Sequence, residues 1–410
     1  MQKLIIKNFG PLKDIELDIQ DFMVFIGPQA TGKSTIAKLV YFFKEIKKDI
    51  KELVRVPKMK WEAAFMIETL EKKIIPARFQ AFFGQKSSYY RSNSEITFQY
   101  KSQFCLKISF QNSKPIVSLS QNQRIPLTIQ AILKNLAAGG YKIAEKRIKM
   151  VNQFLEKMEL TENNHLIPAG RGTIANGTSF YFERTDETIR DFLFLMETIK
   201  YSLSMEAPFA ERTEIDLSIL SSLMTKMLKG EYVVKDEEEY IFYNKISKVP
   251  IHSASSGQQE ASRLLIILMY LLVEYETNFT IIEEPEAHIY PIGQNQMAQA
   301  MAFCFNHNNK MLITTHSPYI LSAINNLLFA HQCANKFTKA KTALNKIIPQ
   351  ACWLNLQKVA VYYVDEGKIK SIIDEKTGLI GINELDGASE VIMQDFEAIM
   401  EIYRKENRKK

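Results

Sequence analysis

The sequence predicts an α/β fold, a P-loop core of mixed or parallel sheet flanked by helices, on three observations. Residues 27–35 read Gly-Pro-Gln-Ala-Thr-Gly-Lys-Ser-Thr, a full Walker A loop. Before it, Asp21–Ile26 reads as a buried strand, and after it Ile36–Phe43 has a helical period, the context this loop needs. Far along the chain, Phe279–Ile282 and Met311–Thr314 read as buried parallel strands, each running into residues that can do chemistry.

Each element follows in order. Leu4–Phe9 and Ile15–Ile19 read as two strands around a Gly10-Pro11 turn, the second with polar-apolar alternation. Residues 44 to about 90 look helical, then mixed. Alternation returns at Ile96–Tyr100, Leu106–Phe110 and Ile116–Leu119, and Gln111–Pro115 supplies a turn signal between the last two. From about 125 to 245 the period is mostly helical, interrupted by Ile167-Pro-Ala-Gly-Arg-Gly-Thr173. Val359–Val364 with Asp365–Lys368 reads as a β-hairpin, and Ala388–Tyr403 as a closing helix. The expected division is a split core, 1–45 and 250–410, around an insertion, 46–249, with antiparallel strands at about 95–120 and helices at about 125–245. There is no internal repeat and no long heptad run.

Composition narrows the class. The chain has 410 residues, 46% hydrophobic and 24% charged, the proportions of a globular protein. No run of about 18 apolar residues exists, so no membrane span is expected. The N-terminus lacks a signal-peptide pattern. Cys105, Cys304, Cys333 and Cys352 form no Cys-x-x-Cys pair, which speaks against a zinc site or a disulfide framework and for a cytoplasmic setting. A net charge of +6 permits contact with nucleic acid without requiring it. The basic stretches Lys44–Lys60 and Arg404–Lys410, and the acidic Asp236–Glu239, are expected at the solvated surface.

The loop at Gly27, Pro28, Gln29, Ala30, Thr31, Gly32, Lys33, Ser34 and Thr35 is built for a nucleoside triphosphate. Its glycines let backbone N–H groups and a helix N-terminus face phosphate. Lys33 is placed to reach the β/γ-phosphates, and Ser34 to offer its hydroxyl to Mg²⁺.

Three later segments complete a site. Thr280-Ile-Ile-Glu-Glu-Pro-Glu-Ala-His288 is an apolar strand ending in paired carboxylates, as in a Walker B segment. Glu283 takes the metal role there and Glu284 the general-base role. Ser253–Arg263 precedes an apolar helix from Leu264 to Val273, and Ser256 with Gln259 fits a capping box whose N-terminus favours an anion. Leu312-Ile-Thr-Thr-His-Ser-Pro318 ends a strand in His316, where it can meet a γ-phosphate or a catalytic water.

The order Gly-Pro-Gln-Ala-Thr-Gly-Lys-Ser-Thr, Ser-Ser-Gly-Gln-Gln-Glu, Ile-Ile-Glu-Glu-Pro-Glu-Ala-His and Thr-Thr-His-Ser-Pro resembles the ABC-type, AAA-family ATPases of the OLD and RecF-like group. The resemblance covers roughly residues 1–45 and 250–325. Ile167-Pro-Ala-Gly-Arg171 resembles a Pro-Ala-x-Arg element of such proteins, which would bring Arg171 near the site. Glu283 stands where many ABC proteins carry Asp, the signature is Ser-Ser-Gly-Gln-Gln, and a Q-loop glutamine could be Gln80 or Gln99.

The resemblance implies an ABC-type P-loop core and an ATP sandwich between two copies, with Ser255, Ser256, Gly257 and Gln258 meeting the nucleotide of the partner copy. It therefore implies ATP and Mg²⁺ as cofactors and a homodimer or higher even assembly. OLD nucleases carry a Toprim domain, but the segment after His316 lacks the glutamate and Asp-x-Asp arrangement that a Toprim metal site needs, so no intrinsic nuclease is expected. Stand-alone relatives of this kind act beside a separately encoded effector, a nuclease or toxin, in bacterial anti-phage systems of the Septu and PARIS kind. The alternative is a RecF-like repair ATPase that clamps DNA. A transporter's nucleotide-binding subunit fits poorly, because the segment between Walker A and the signature is too long.

Overall fold

In a computed structural model of the chain, residues 1–55, 68–84, 88–101, 104–120, 149, 151–153, 155–171, 187–205, 208–235, 238–381 and 399–400 are described. The chain opens with β1 (Lys3–Phe9), β2 (Leu12–Asp18) and β3 (Phe22–Ile26), then α1 (Lys33–Lys44) and α2 (Ile46–Arg55). A π-helical turn at Leu70–Ile74 leads into α3 (Ile75–Phe83), followed by β4 (Glu95–Gln99), β5 (Cys105–Gln111), β6 (Lys114–Ser120) and β7 (Asn163–Ile167). Next come α4 (Glu187–Met205), α5 (Ser218–Leu228), β8 (Glu231–Lys235), β9 (Glu238–Phe242), β10 (Lys248–Pro250) and α6 (Ser256–Glu274). The last part holds β11 (Asn278–Glu283), α7 (Pro291–Asn306), β12 (Asn309–Thr315), α8 (Pro318–Lys336), α9 (Lys341–Ile347), β13 (Val359–Asp365) and β14 (Lys368–Ser371).

The central sheet runs β14-β13-β3-β12-β11-β7. Every pair within it is parallel except the β13–β14 hairpin. A second, antiparallel sheet runs β2-β1-β4-β5-β6, and β10-β9-β8 form a small third one. The mixed α/β class and the P-loop core expected from the sequence are both present.

Burial on both faces explains why β3 reads as an unbroken apolar run. Phe22, Val24 and Ile26 face a core shared with α6, α7 and α8, while Met23 and Phe25 face a second core shared with α1, α3 and the antiparallel sheet. The same alternation divides Ile313 from Leu312 on β12 and Ile282 from Ile281 on β11. The P-loop strand is thus held from above and below, and its carboxyl end is the free edge where the loop begins.

Several expectations meet a different arrangement. Strands β4–β6 extend the sheet that β1 and β2 begin, through β1–β4 pairing, and β7 lies beside β11 in the central sheet. These parts of 46–249 therefore join sheets that the first and last parts of the chain also build, β4–β6 the antiparallel sheet of β1 and β2, and β7 the central sheet of the P-loop strand. Within the stretch read as helical, β7, β8 and β9 are strands. Val359–Asp365 forms the expected hairpin with Lys368–Ser371, and it also pairs in parallel with β3, so the hairpin is part of the central sheet. The start of the basic run 44–60 is not solvated either. Lys44 and Lys47 are buried, Lys44 with Nζ 2.8 Å from Glu162 and Lys47 donating to the Glu162 carbonyl, whereas Lys48 is exposed as expected and pairs with the buried Glu45. Such charges are tolerated inside only because each finds an opposite partner or a carbonyl. The expected closing helix is described only at 399–400; the helical expectation over 125–148 and the tail 404–410 lie outside the described residues. Among the described residues no helix is long and apolar enough to cross a membrane.

Candidate functional site

The carboxyl ends of β3, β12 and β11 lie side by side, with Ile26 opposite Thr315 and Glu283 opposite Thr314. Three segments far apart in sequence therefore leave the sheet at one edge: the loop after Ile26, His316 after Thr315, and Glu284 after Glu283. The strand that carries His316 runs between the other two.

The loop is shaped by close backbone approach. Gly27 has φ +150°, and a Cβ there would sit 2.2 Å from the carbonyl oxygen of Val364 on β13. No other residue fits without moving that strand. Pro28, Gln29 and Ala30 are exposed, and the Thr31 hydroxyl donates to the Pro28 carbonyl at 2.9 Å. Gly32 is the N-cap of α1 and supplies no side-chain cap, so the first N–H groups of the helix, over Lys33, Ser34 and Thr35, keep their capacity for an anion.

Lys33 is buried and folds back along this loop. Its Nζ donates to the carbonyls of Gly27 at 2.8 Å and Pro28 at 2.6 Å, and lies 3.4 Å from Nδ1 of His316. Burial pulls its pKa down to about 8, against the attraction of Glu284 and Glu286. A cation held by neutral carbonyls in a half-dry site is poised to exchange them for phosphate.

Glu283 is buried, and burial raises its carboxyl pKa; the Ser34 hydroxyl, the Lys38 charge and the Ala169 N–H oppose that rise. Its Oε1 is buried without a hydrogen-bond partner. A hydroxyl beside a carboxylate with an unsatisfied oxygen fits the protein's share of a Mg²⁺ shell, in which phosphate and water supply the rest. Among the described residues there is no group of three or more His, Cys, Asp or Glu that could hold a metal by itself.

Glu284 takes a left-handed backbone with φ +46°, and its N–H donates to the Thr314 carbonyl at 2.8 Å. Its Oε1 lies 3.6 Å from Nε2 of His316. This turn carries the side chain away from the strand line of Glu283, so the two adjacent carboxylates occupy different surroundings. Two further residues join them. Glu286 accepts the His316 backbone N–H at 2.7 Å, a contact that three carboxylates within four residues hinted at but did not specify. Arg171, brought up after β7, is fully buried against the Glu283 and Glu284 carbonyls, with Nη2 at 3.2 and 2.8 Å.

The signature residues do not join this cluster within one chain. The capping box is formed by Ser255 with Gln258, one residue before the expected pair of Ser256 with Gln259. Ser256 is then the first helical residue, exposed like Ser255. A Cβ on Gly257 would lie 2.5 Å from the His288 carbonyl oxygen, so this glycine answers to its own chain. The Gln258 amide donates to the Leu228 carbonyl at 2.7 Å and faces the Tyr243 hydroxyl at 3.3 Å. Gln259 is likewise tied back, to the carbonyls of Ala254 and His252.

The sequence matches the AAA ATPase domain over residues 1–165 and 85–321. No curated protein matches it. In structure the chain is similar to an SMC head bound to the C-terminal winged-helix domain of ScpA, at 11% identity and TM-score 0.44, covering 91% of this chain and 98% of that one. It is similar also to the SMC head domain from Thermotoga maritima, at 8% identity and TM-score 0.38, covering 78% and 90%. The Smc head domain with an extended coiled coil bound to the C-terminal domain of ScpA, from Pyrococcus furiosus, gives 11% identity and TM-score 0.40 over 96% and 99%. With a P-loop, a carboxylate pair and a histidine converging at one sheet edge, and a family match over more than half its length, this chain belongs to the AAA ATPase domain family.

Proposed function

We propose that this chain is an OLD-like ATPase that binds ATP with Mg²⁺, dimerises around it, and by hydrolysis switches or scaffolds a separately encoded effector in bacterial anti-phage defence. The observation that carries the ATPase reading is the convergence of Lys33, Glu283 with Ser34, and Glu284 with His316 at one edge of the central sheet. In this reading Lys33 binds the terminal phosphates, and Ser34 and Glu283 hold Mg²⁺. Bound there, the ion would neutralise phosphate charge. Glu284 accepts a proton from the attacking water, and His316 orients it.

Two features support a second copy as the missing half. Ser255 and Ser256 are exposed at a helix N-terminus, where the Ser255 hydroxyl closes the capping box with Gln258. Large apolar side chains stand exposed beside the relevant segments: Tyr290 after His288, Tyr319 after His316, and Ile246 next to the signature. Exposed apolar surface around a polar site is a mark of an interface. The effector and the defence role rest on the resemblance of the motifs alone.

The test is direct. Lys33→Ala should abolish ATP binding, whereas Glu284→Gln should keep ATP, stop hydrolysis and hold the dimer. A Glu284→Gln protein that hydrolyses ATP at the normal rate would overturn the assignment of the base. Co-purification with the product of an adjacent gene checks the effector, and DNA-stimulated, steeply salt-dependent turnover would favour a DNA clamp instead.

A further inference from the structure

Arg171 is the bulkiest fully buried side chain among the described residues, and it carries a charge. It reaches the site because β7 lies beside β11, so the Pro168–Arg171 turn leaves the sheet next to Glu283. Its guanidinium meets three partners at once. Nη1 pairs with Oε2 of Glu260 at 3.0 Å, and Nη2 donates to the carbonyls of Glu284 at 2.8 Å and Glu283 at 3.2 Å. Glu260 is itself buried and sits on the second turn of α6, five residues past the Ser255 cap.

We infer that Arg171 is a positioning residue for hydrolysis, tying the first turns of the signature helix to the backbone of the general base within one chain. Glu284 stands in a left-handed conformation that a glutamate adopts only when its surroundings impose it. Arg171 imposes it by gripping the carbonyls on both sides of the Glu284 α-carbon. The planar fork spreads its donors over separate nitrogens in a fixed orientation, so it sets the two carbonyls and the carboxylate relative to one another, which the compact, freely rotating ammonium of a lysine does not. The close fit of Gly257 under the His288 carbonyl is a second contact between the same helix turn and the same segment. A displacement at Ser255–Gly257 therefore moves Glu260, then Arg171, then the carbonyl of Glu284. An apolar side chain of this volume would fill the space at lower desolvation cost. What the ion pair adds is a fixed relation between α6 and the base.

This inference rests on the two-copy ATPase reading above. There, α6 of one copy meets the nucleotide held by the other, and Arg171 passes that contact to the first copy's own Glu284.

The test uses the full chain with Arg171→Lys, Glu260→Gln, and the double variant Arg171→Met with Glu260→Gln. The double removes both buried charges together and leaves neither uncompensated. Steady-state kcat and KM are measured beside the Kd for a non-hydrolysable ATP analogue and the melting temperature. Each single variant is expected to lose about 10- to 100-fold in kcat, the scale of a misplaced catalytic group. KM and the analogue Kd should stay within about threefold, and the double should be no worse than the worse single, because the pair acts as a unit. Should Arg171→Lys fail to fold, the isosteric Glu260→Gln and the double decide. A kcat within about threefold of the unsubstituted chain, or a loss matched by equal loss of analogue binding, overturns the inference. Failure of the underlying reading is visible separately, as absence of an ATP-held dimer in Glu284→Gln with Arg171 intact.

Discussion

Oε1 of Glu286 accepts the backbone N–H of His316 at 2.7 Å, joining the segment after β11 to the segment after β12. The contact fixes the histidine by its main chain and leaves the ring free to stand between Lys33 and Glu284. The other Glu286 oxygen is buried without a hydrogen-bond partner. Glu286→Ala should therefore lower kcat by about 10- to 100-fold through loss of alignment, with ATP binding nearly unchanged. Parallel measurement of kcat and of analogue binding checks it. Equal losses in both would mean that Glu286 serves the nucleotide pocket as a whole.

Burial sets Lys33 near pH 8, and a bound polyphosphate favours its charged form. The nucleotide-free protein sheds this proton as pH rises through about 8, while the ATP-bound protein retains it. ATP binding above that pH must take up a proton. Affinity should be flat below pH 7.5 and fall by about tenfold at pH 9. Calorimetry in two buffers of different ionisation heat should find uptake of up to one proton at pH 9 and almost none at pH 7. The sign for folding is the reverse of a salt-bridged lysine. Because the folded value lies below the unfolded one, the cost of the buried charge is fully present below pH 8. It is relieved as pH rises towards 10.5.

The strands that carry the site were legible because both their faces are buried. An apolar run such as Phe22–Ile26 or Phe279–Ile282 has few other homes. Strand β7 was not, since Asn163-Asn-His has no strand pattern; it forms because the backbone of β11 offers a parallel edge. The register of the capping box was ambiguous from sequence, as Ser255 and Ser256 are each followed three residues later by glutamine. Only the fold of Leu228 and Tyr243 against Gln258 decides it. Lys44 and Lys47 read as surface residues, because the glutamate that neutralises Lys44 and whose carbonyl holds Lys47 is more than 100 residues away, at Glu162. Arg171 was visible as a motif residue, but its grip on two main-chain carbonyls leaves no trace in sequence.

Glu283 holds an oxygen without a partner beside the Ser34 hydroxyl, so its removal should act on the metal before the nucleotide. Glu283→Ala is expected to cut turnover by at least about 100-fold at any Mg²⁺ concentration, in line with loss of a metal-held charge clamp. Metal-free ATP should bind the variant about as well as it binds the unsubstituted chain. Titrating Mg²⁺ into the ATP complex distinguishes the two proteins: the unsubstituted chain should gain affinity and Glu283→Ala should not. A full Mg²⁺ response in the variant would move the metal to another carboxylate.

Ile246 is 92% exposed at the tip of the β9–β10 hairpin, where the Asn244 side chain accepts the Ile246 and Ser247 N–H groups and fixes the turn. The preceding Tyr243 faces the Gln258 amide, so this tip stands beside the signature helix. Tyr290, 76% exposed, follows the His288 turn against which Gly257 packs. Neither side chain supports its own fold, and Ile246→Asp or Tyr290→Asp should change folding stability by no more than about 0.5 kcal/mol. If a second copy covers this face, each substitution should weaken the ATP-held dimer of the Glu284→Gln protein by about tenfold or more, as expected for an apolar anchor at an interface centre. Sedimentation over a range of protein concentrations reads that change, with analogue binding to the monomer as the control. An unaltered dimer constant in both variants would put the contact on a different face and detach the exposed apolar residues from the ATP site.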